Sequence, residues 1–143
     1  MRATVPVCQI EKFPTQEAQR ARSCNNLLST HLLVEMWQAP FSLLADAKEV
    51  ERLLTYAGNG HSEQGDVISY QFSPYGVSAK ATFGDVHIFI HTWPENGYAA
   101  IDIFANDHQG AYSVFERLKE AFCPQYVHVL EMKRGQLIEM EET

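Results

Sequence analysis

The chain predicts an α+β fold, a two-layer sandwich with a mainly antiparallel sheet and two helices on one face. Three observations carry this. Residues 87–104 hold two alternating segments around a Pro-Glu-Asn-Gly turn, the pattern of a β-hairpin. Only two stretches repeat apolar residues at helical spacing. The elements run strand, helix, four strands, helix, strand, so a single sheet has two helices to cover it.

Residues 1–29 sustain no period and read as an N-terminal extension, with a short strand over 5–10 and a short helix over 16–22; residues 30–143 read as the domain. His31 to Trp37 is the first strand, closed by Pro40. Leu43, Leu44, Ala47, Val50, Leu53 and Leu54 then recur at helical spacing, with Ser42 as N-cap and Gly58-Asn59-Gly60 as the stop. A polar loop spans 60–66. Strands follow over 67–72 and 77–83, joined by a turn in which Pro74 and Gly76 are placed to reverse the chain. After the central hairpin, 106–110 reads as a loop. Val114, Phe115, Leu118, Ala121 and Phe122 give the second amphipathic helix, stopped by Pro124; Tyr126 to Met132 is the last strand, and Glu139 to Thr143 an acidic tail.

The hairpin is the densest run of apolar, aromatic and ionisable residues. His87, Phe89 and His91 share one face and Ile88, Ile90 and Thr92 the other, because strand side chains alternate. After the turn, Tyr98, Ala100, Asp102 and Phe104 alternate with Ala99, Ile101 and Ile103.

Composition narrows the classes. A chain of 143 residues is one ordinary domain, and 45% hydrophobic with 20% charged residues is usual for a soluble globular protein. There is no apolar run near the ~20 residues needed to cross a bilayer, and the N-terminus lacks a signal-peptide core. Cys8, Cys24 and Cys123 form no metal or disulfide pattern, which points to a reducing cytoplasm. A net charge of −7 argues against nucleic acid and is compatible with a cationic small molecule. On a strand, His87 and His91 stand about 13 Å apart and cannot share one metal ion, so no metal is expected. The short Gly58-Asn59-Gly60 and Gly84-Asp85 lack a phosphate-loop lysine, and no nucleophile elbow is present.

His91-Thr92-Trp93-Pro94-Glu95, with Gly97-Tyr98-Ala99-Ala100 after it, resembles the hairpin of the short bacterial and archaeal S-adenosylmethionine decarboxylases. Their pattern is Glu-Ser-His-x-x-x-His-Thr-Trp-Pro-Glu, then Gly-Tyr-Ala-Ala and Asp-x-Phe-Thr-Cys. Thr30-His31-Leu32-Leu33-Val34-Glu35 matches the family's opening strand, and Phe72-Ser73-Pro74-Tyr75-Gly76-Val77-Ser78 its Phe-x-Pro-x-Gly-Val-Ser/Thr segment. The first 29 residues lie outside the resemblance. It implies self-cleavage at a serine to leave a pyruvoyl group, which then serves as electron sink for decarboxylation. It also implies a homodimer, since the family buries the remaining sheet face or its edge by pairing into larger sheets.

Carried over position by position, the resemblance breaks at two places. The self-cleaving serine corresponds to Val86, preceded by Asp85, and the proton-donating cysteine to Asn106. Valine has no nucleophilic atom, so no pyruvoyl cofactor is expected, and an asparagine amide is no acid at neutral pH. The serine and histidine that assist cleavage correspond to Ser78 and His91, both retained. The acid that grips the substrate ribose corresponds to Glu95, with Phe72 and His91 as candidates to sandwich an adenine. The expectation is a decarboxylase-like protein of the polyamine lineage without catalytic activity, binding an adenosyl or polyamine ligand or pairing with an active homologue. Two other readings stay open: a decarboxylase that uses another nucleophile, such as Thr82 or Ser78, and an interaction protein with no ligand.

Overall fold

In the computed structural model, which describes residues 3–4, 28–58 and 65–135, the alternating segments become one twisted sheet. Its strands are β1 (Ala3–Thr4), β2 (Ser29–Trp37), β3 (Asp66–Gln71), β4 (Val77–Phe83), β5 (Val86–Trp93), β6 (Tyr98–Ala105) and β7 (Tyr126–Arg134), in the order β1-β7-β2-β6-β5-β4-β3. Six strands pair antiparallel. The two-residue β1 adds in parallel to the outer edge of β7. The helices are α1 (Phe41–Leu44), α2 (Ala47–Gly58) and α3 (His108–Phe122). The two-layer α+β architecture is therefore present, with a short third helix that the periodicity did not separate.

Alternation sets the layers. Leu32, Val34 and Met36 of β2, Ile88 and Ile90 of β5 and Ile101 and Ile103 of β6 are buried, and they meet Val50, Leu53 and Leu54 of α2 and Val114, Leu118 and Phe122 of α3 in one core. Helix α2 packs on β3 and β4, α3 on β2 and β6, and the helices touch each other. The other sheet face carries no helix among the described residues. It presents Ile68, Tyr70, Phe89, Trp93, Trp37 and Met132 in exposed positions.

Several boundaries differ from the expectations. The first helical stretch is broken at Ala45 and Asp46, and Pro40, not Ser42, is its N-cap. Helix α3 starts at His108, not in the 114–122 stretch, because Asp107 accepts from the Gly110 N–H and caps it. It ends in a left-handed Cys123 with φ 50°. Strand β3 begins and ends one residue earlier than expected, and β7 runs on to Arg134. The expected strand over 5–10, the helix over 16–22, most of the 60–66 loop and the acidic tail lie outside the described residues. No helix among the described residues is long and apolar enough to cross a membrane.

Candidate functional site

The residues singled out from the sequence sort into two groups, one at each end of β5. At the end where β5 enters the hairpin turn, Ser78 and His91 stand opposite each other in register, and the Ser78 hydroxyl lies 2.7 Å from His91 Nδ1. Both project from the face without helices. The turn itself is a 3₁₀ segment, Pro94–Asn96, with Glu95 exposed. It ends at Gly97 in the left-handed region at φ 62°, where a Cβ would come within 3.2 Å of Gln38 Cα. The Gly97 carbonyl accepts from the Ala39 N–H at 3.0 Å, tying the hairpin tip to the start of α1.

Phe72 leaves the end of β3 beside this tip. Its ring is 47% exposed and meets Tyr70 edge-on at 4.8 Å. The loop closes through the Phe72 N–H donating to the Gly76 carbonyl at 2.8 Å. Gly76 has φ 109°, and a Cβ there would lie 3.7 Å from Phe72 Cβ and 4.0 Å from Pro94 Cδ. Loop and turn thus converge on a position that only glycine fits without strain. Phe72 and Pro94, the residue before Glu95, meet at Gly76, two residues from Ser78, which pairs with His91. Trp93, Tyr98 and Trp37 continue this corner along the sheet, with ring centroids 5.4 and 4.4 Å apart for Trp93–Tyr98 and Trp37–Tyr98. Tyr98 donates to Glu35 at 3.2 Å, and burial together with the Glu35 charge raises its hydroxyl above the ordinary tyrosine range.

The opposite end of β5 is built differently. Val86 pairs with Phe83 across a two-residue turn and is 1% exposed, its side chain in the core with Ile88 and Ile90. Asp85 accepts from the Asn106 backbone N–H at 3.2 Å, which joins this turn to the loop before α3. Asn106 itself is exposed. The resemblance puts the pyruvoyl-forming residue at position 86. Two packed methyl groups offer no oxygen to attack the Asp85 carbonyl, so the position does not fit that group. Between Val86 and His91 the strand is unbroken, and five residues of strand span about 17 Å. The Ser78–His91 pair therefore does not reach Val86 of its own chain.

His87 and His91 sit four residues apart on this continuous strand. Among the described residues no group of three or more His, Cys, Asp or Glu side chains is placed to hold a metal. A shallow depression of about 330 Å³ lies on the helix-free face over Leu33, Ala100 and Leu130, flanked by Glu35, Asp102 and His128. Phe72, Ser78 and Glu95 do not line it.

Two residues that build the corner were not singled out from the sequence. Thr92 is 7% exposed; its hydroxyl accepts from the Val77 N–H at 2.9 Å and donates to the Leu44 carbonyl at 2.7 Å. The signal was a hydroxyl on the inward side of Ile88, Ile90 and Thr92. Gln71 makes a comparable set of backbone contacts from the end of β3, and nothing local in the sequence marks it.

A family model described as S-adenosylmethionine decarboxylase matches residues 30–135. The S-adenosylmethionine decarboxylase proenzyme of Carboxydothermus hydrogenoformans is 34% identical over 116 residues, covering 80% of this chain and 91% of the relative. That of Methanococcus maripaludis is 32% identical over 117 residues, covering 80% and 95%. The crystal structure of the adenosylmethionine decarboxylase from Aquifex aeolicus superposes with a TM-score of 0.73 at 25% identity, over 82% of this chain and 98% of that one. With the hairpin, the opening strand and the Phe72–Ser78 loop all inside the matched span, the chain belongs to the S-adenosylmethionine decarboxylase family.

Proposed function

We propose that this chain is a family member of the polyamine lineage that does not form the pyruvoyl group and does not decarboxylate, and that it keeps a ligand corner and a pairing face. The observation that carries this reading is the split along β5. The positions of the attacking hydroxyl and the proton donor hold Val86 and Asn106 at one end, while Ser78, His91, Glu95 and Phe72 remain in a formed corner at the other. An adenosyl compound is the ligand that Phe72, His91 and Glu95 would suit, with aromatic faces for a base and a carboxylate for ribose hydroxyls or an ammonium group.

The pairing face is the sheet surface without helices, which carries Trp37, Phe89, Trp93 and Met132 in exposed positions. Its occupant is a second copy or a catalytically active homologue.

Intact mass of the purified protein tests the reading. The expected result is one species of 16.2 kDa. Two fragments dividing between residues 85 and 86, the second with a blocked N-terminus, would restore an active decarboxylase. Light scattering at micromolar concentration tests the pairing, and a monomer that also ignores an added active homologue counts against it.

A further inference from the structure

We infer that Gln71 is a positioning residue for the ligand corner, setting the place of Phe72 against the hairpin tip; this rests on the ligand reading above. Gln71 is the last residue of β3, directly before Phe72, and its amide spans three separate pieces of backbone. Its Oε1 accepts from the Ala47 N–H at 2.7 Å. Ala47 opens α2, so this bond satisfies one of the N–H groups that a helix start leaves without an intrahelical partner. Its Nε2 lies 2.9 Å from the Ala45 carbonyl, 3.0 Å from that of Gly76 and 3.3 Å from that of Phe72, so two hydrogens are shared among three acceptors.

The consequence is a clamp. The loop Phe72–Gly76 is closed at its neck by the Phe72 N–H to Gly76 carbonyl bond, and the Gln71 amide grips that neck from outside and fixes it to the break between α1 and α2. The same break is fixed from the other side by Thr92 through the Leu44 carbonyl, and Thr92 also holds Val77, the residue after Gly76. Phe41 of α1 meets Tyr75 at the loop tip, ring centroids 5.1 Å apart. Gln71 and Thr92 therefore tie the loop to the strand that carries His91 and leads into Glu95. Thr92 is buried under the strand, whereas Gln71 acts at the exposed edge, through the backbone of Phe72 and Gly76. A glutamine on a strand edge needs no such set of contacts for the sheet alone, since β3 is already held by its ladder with β4.

Two substitutions separate a clamp from a simple helix cap. Gln71→Leu removes every polar contact. Gln71→Glu keeps the acceptor for Ala47 and replaces the donor with an oxygen facing three carbonyls. Hydrogen exchange on the full chain reads Ala47 and Phe72, while calorimetry with S-adenosylmethionine reads the corner. In Gln71→Leu, both amides should lose protection while Ile101 and Ile103 in the central ladder keep theirs, and affinity should fall by about tenfold or more. In Gln71→Glu, Ala47 should stay protected while Phe72 loosens and affinity falls as in the leucine variant. Unchanged Phe72 exchange in both variants overturns the clamp. Loosened exchange with wild-type affinity overturns the positioning role. Wild-type protein that gives no heat with S-adenosylmethionine overturns the ligand reading on which that role rests, and the exchange at Phe72 then decides the clamp by itself.

Discussion

The two ends of β5 are built on the same strand from opposite materials. At the His91 end, polar side chains hold polar side chains and backbone: Ser78 with His91, Thr92 with Val77 and Leu44, Gln71 with the loop neck. At the Val86 end, the inward position is apolar, and among the described residues the one polar contact made by a hairpin-turn side chain is Asp85 with the Asn106 N–H. A buried polar group such as the Thr92 hydroxyl is costly to leave half paired, whereas an apolar packing site tolerates hydrophobic exchange provided volume is kept. The two ends should therefore answer substitution differently, one through lost hydrogen bonds and the other through lost packing.

The largest effect on stability should come from the polar end. Thr92→Val keeps the shape but leaves the Val77 N–H and the Leu44 carbonyl without their partner, and we expect a loss of about 2–4 kcal/mol in denaturant unfolding. A loss near zero would mean that the hydroxyl does not hold α1 to the hairpin. Glu95→Ala removes an exposed carboxylate that makes no hydrogen bond or ion pair among the described residues, so unfolding should be unchanged. Calorimetric affinity for S-adenosylmethionine should fall by about 1.5–3 kcal/mol, as for a charge-assisted hydrogen bond. Equal affinity of variant and wild type would move the ligand away from this corner.

At the apolar end, Val86→Ser exchanges a buried branched side chain for a hydroxyl, with an expected loss of about 1–3 kcal/mol. It places a nucleophile beside the Asp85 carbonyl, and slow partial cleavage between 85 and 86 is the expected outcome by mass. Asn106→Cys alone should leave the chain intact and without decarboxylase activity. A folded Val86→Ser chain that stays uncut for days at neutral pH shows that the two ends differ by more than two side chains.

The smallest effect is a titration near the apolar end. Tyr112 of α3 lies under His108, ring centroids 4.6 Å apart; burial first, then the charge and hydrogen bond of Glu131, push its hydroxyl up to about 12. A tyrosine raised in the folded state contributes stability that is complete below the unfolded value near 10 and is lost as pH climbs from about 10 to about 12. Tyr112→Phe should therefore lose less stability over that window than the wild type, with parallel curves at neutral pH. Identical slopes would mean that neither burial nor Glu131 raises the hydroxyl.

What was legible in the sequence was whatever one period could write. His87 to Thr92 alternate, so the hairpin and its two faces followed, and Gly97 after Pro94 marked the turn. The break between α1 and α2 was not legible, because Leu43, Leu44, Ala47 and Val50 keep helical spacing straight through it. What breaks the helix arrives from Gln71 and Thr92, 26 and 48 residues downstream of the groups they bind. The pairing of β2 with both β6 and β7 was equally hidden, since strand order is decided by contacts far apart in the chain. At the site, the resemblance marked Val86 and Asn106 as departures, whereas the distance of Ser78 and His91 from Val86 came only from the unbroken strand.

The two-residue turn at Gly84 and Asp85 has a consequence for how the chain could be divided. Every strand up to β4 precedes it and every strand from β5 follows it, yet β2 lies between β6 and β7, and β4 lies against β5. The two halves are interleaved through the sheet rather than set side by side. Fragments 1–85 and 86–143, produced separately, each lack neighbours for an interior strand and should be poorly folded alone. Mixed, they have the whole ladder to recover, so the fold behaves as a two-piece assembly whose covalent link at the turn supplies proximity more than structure.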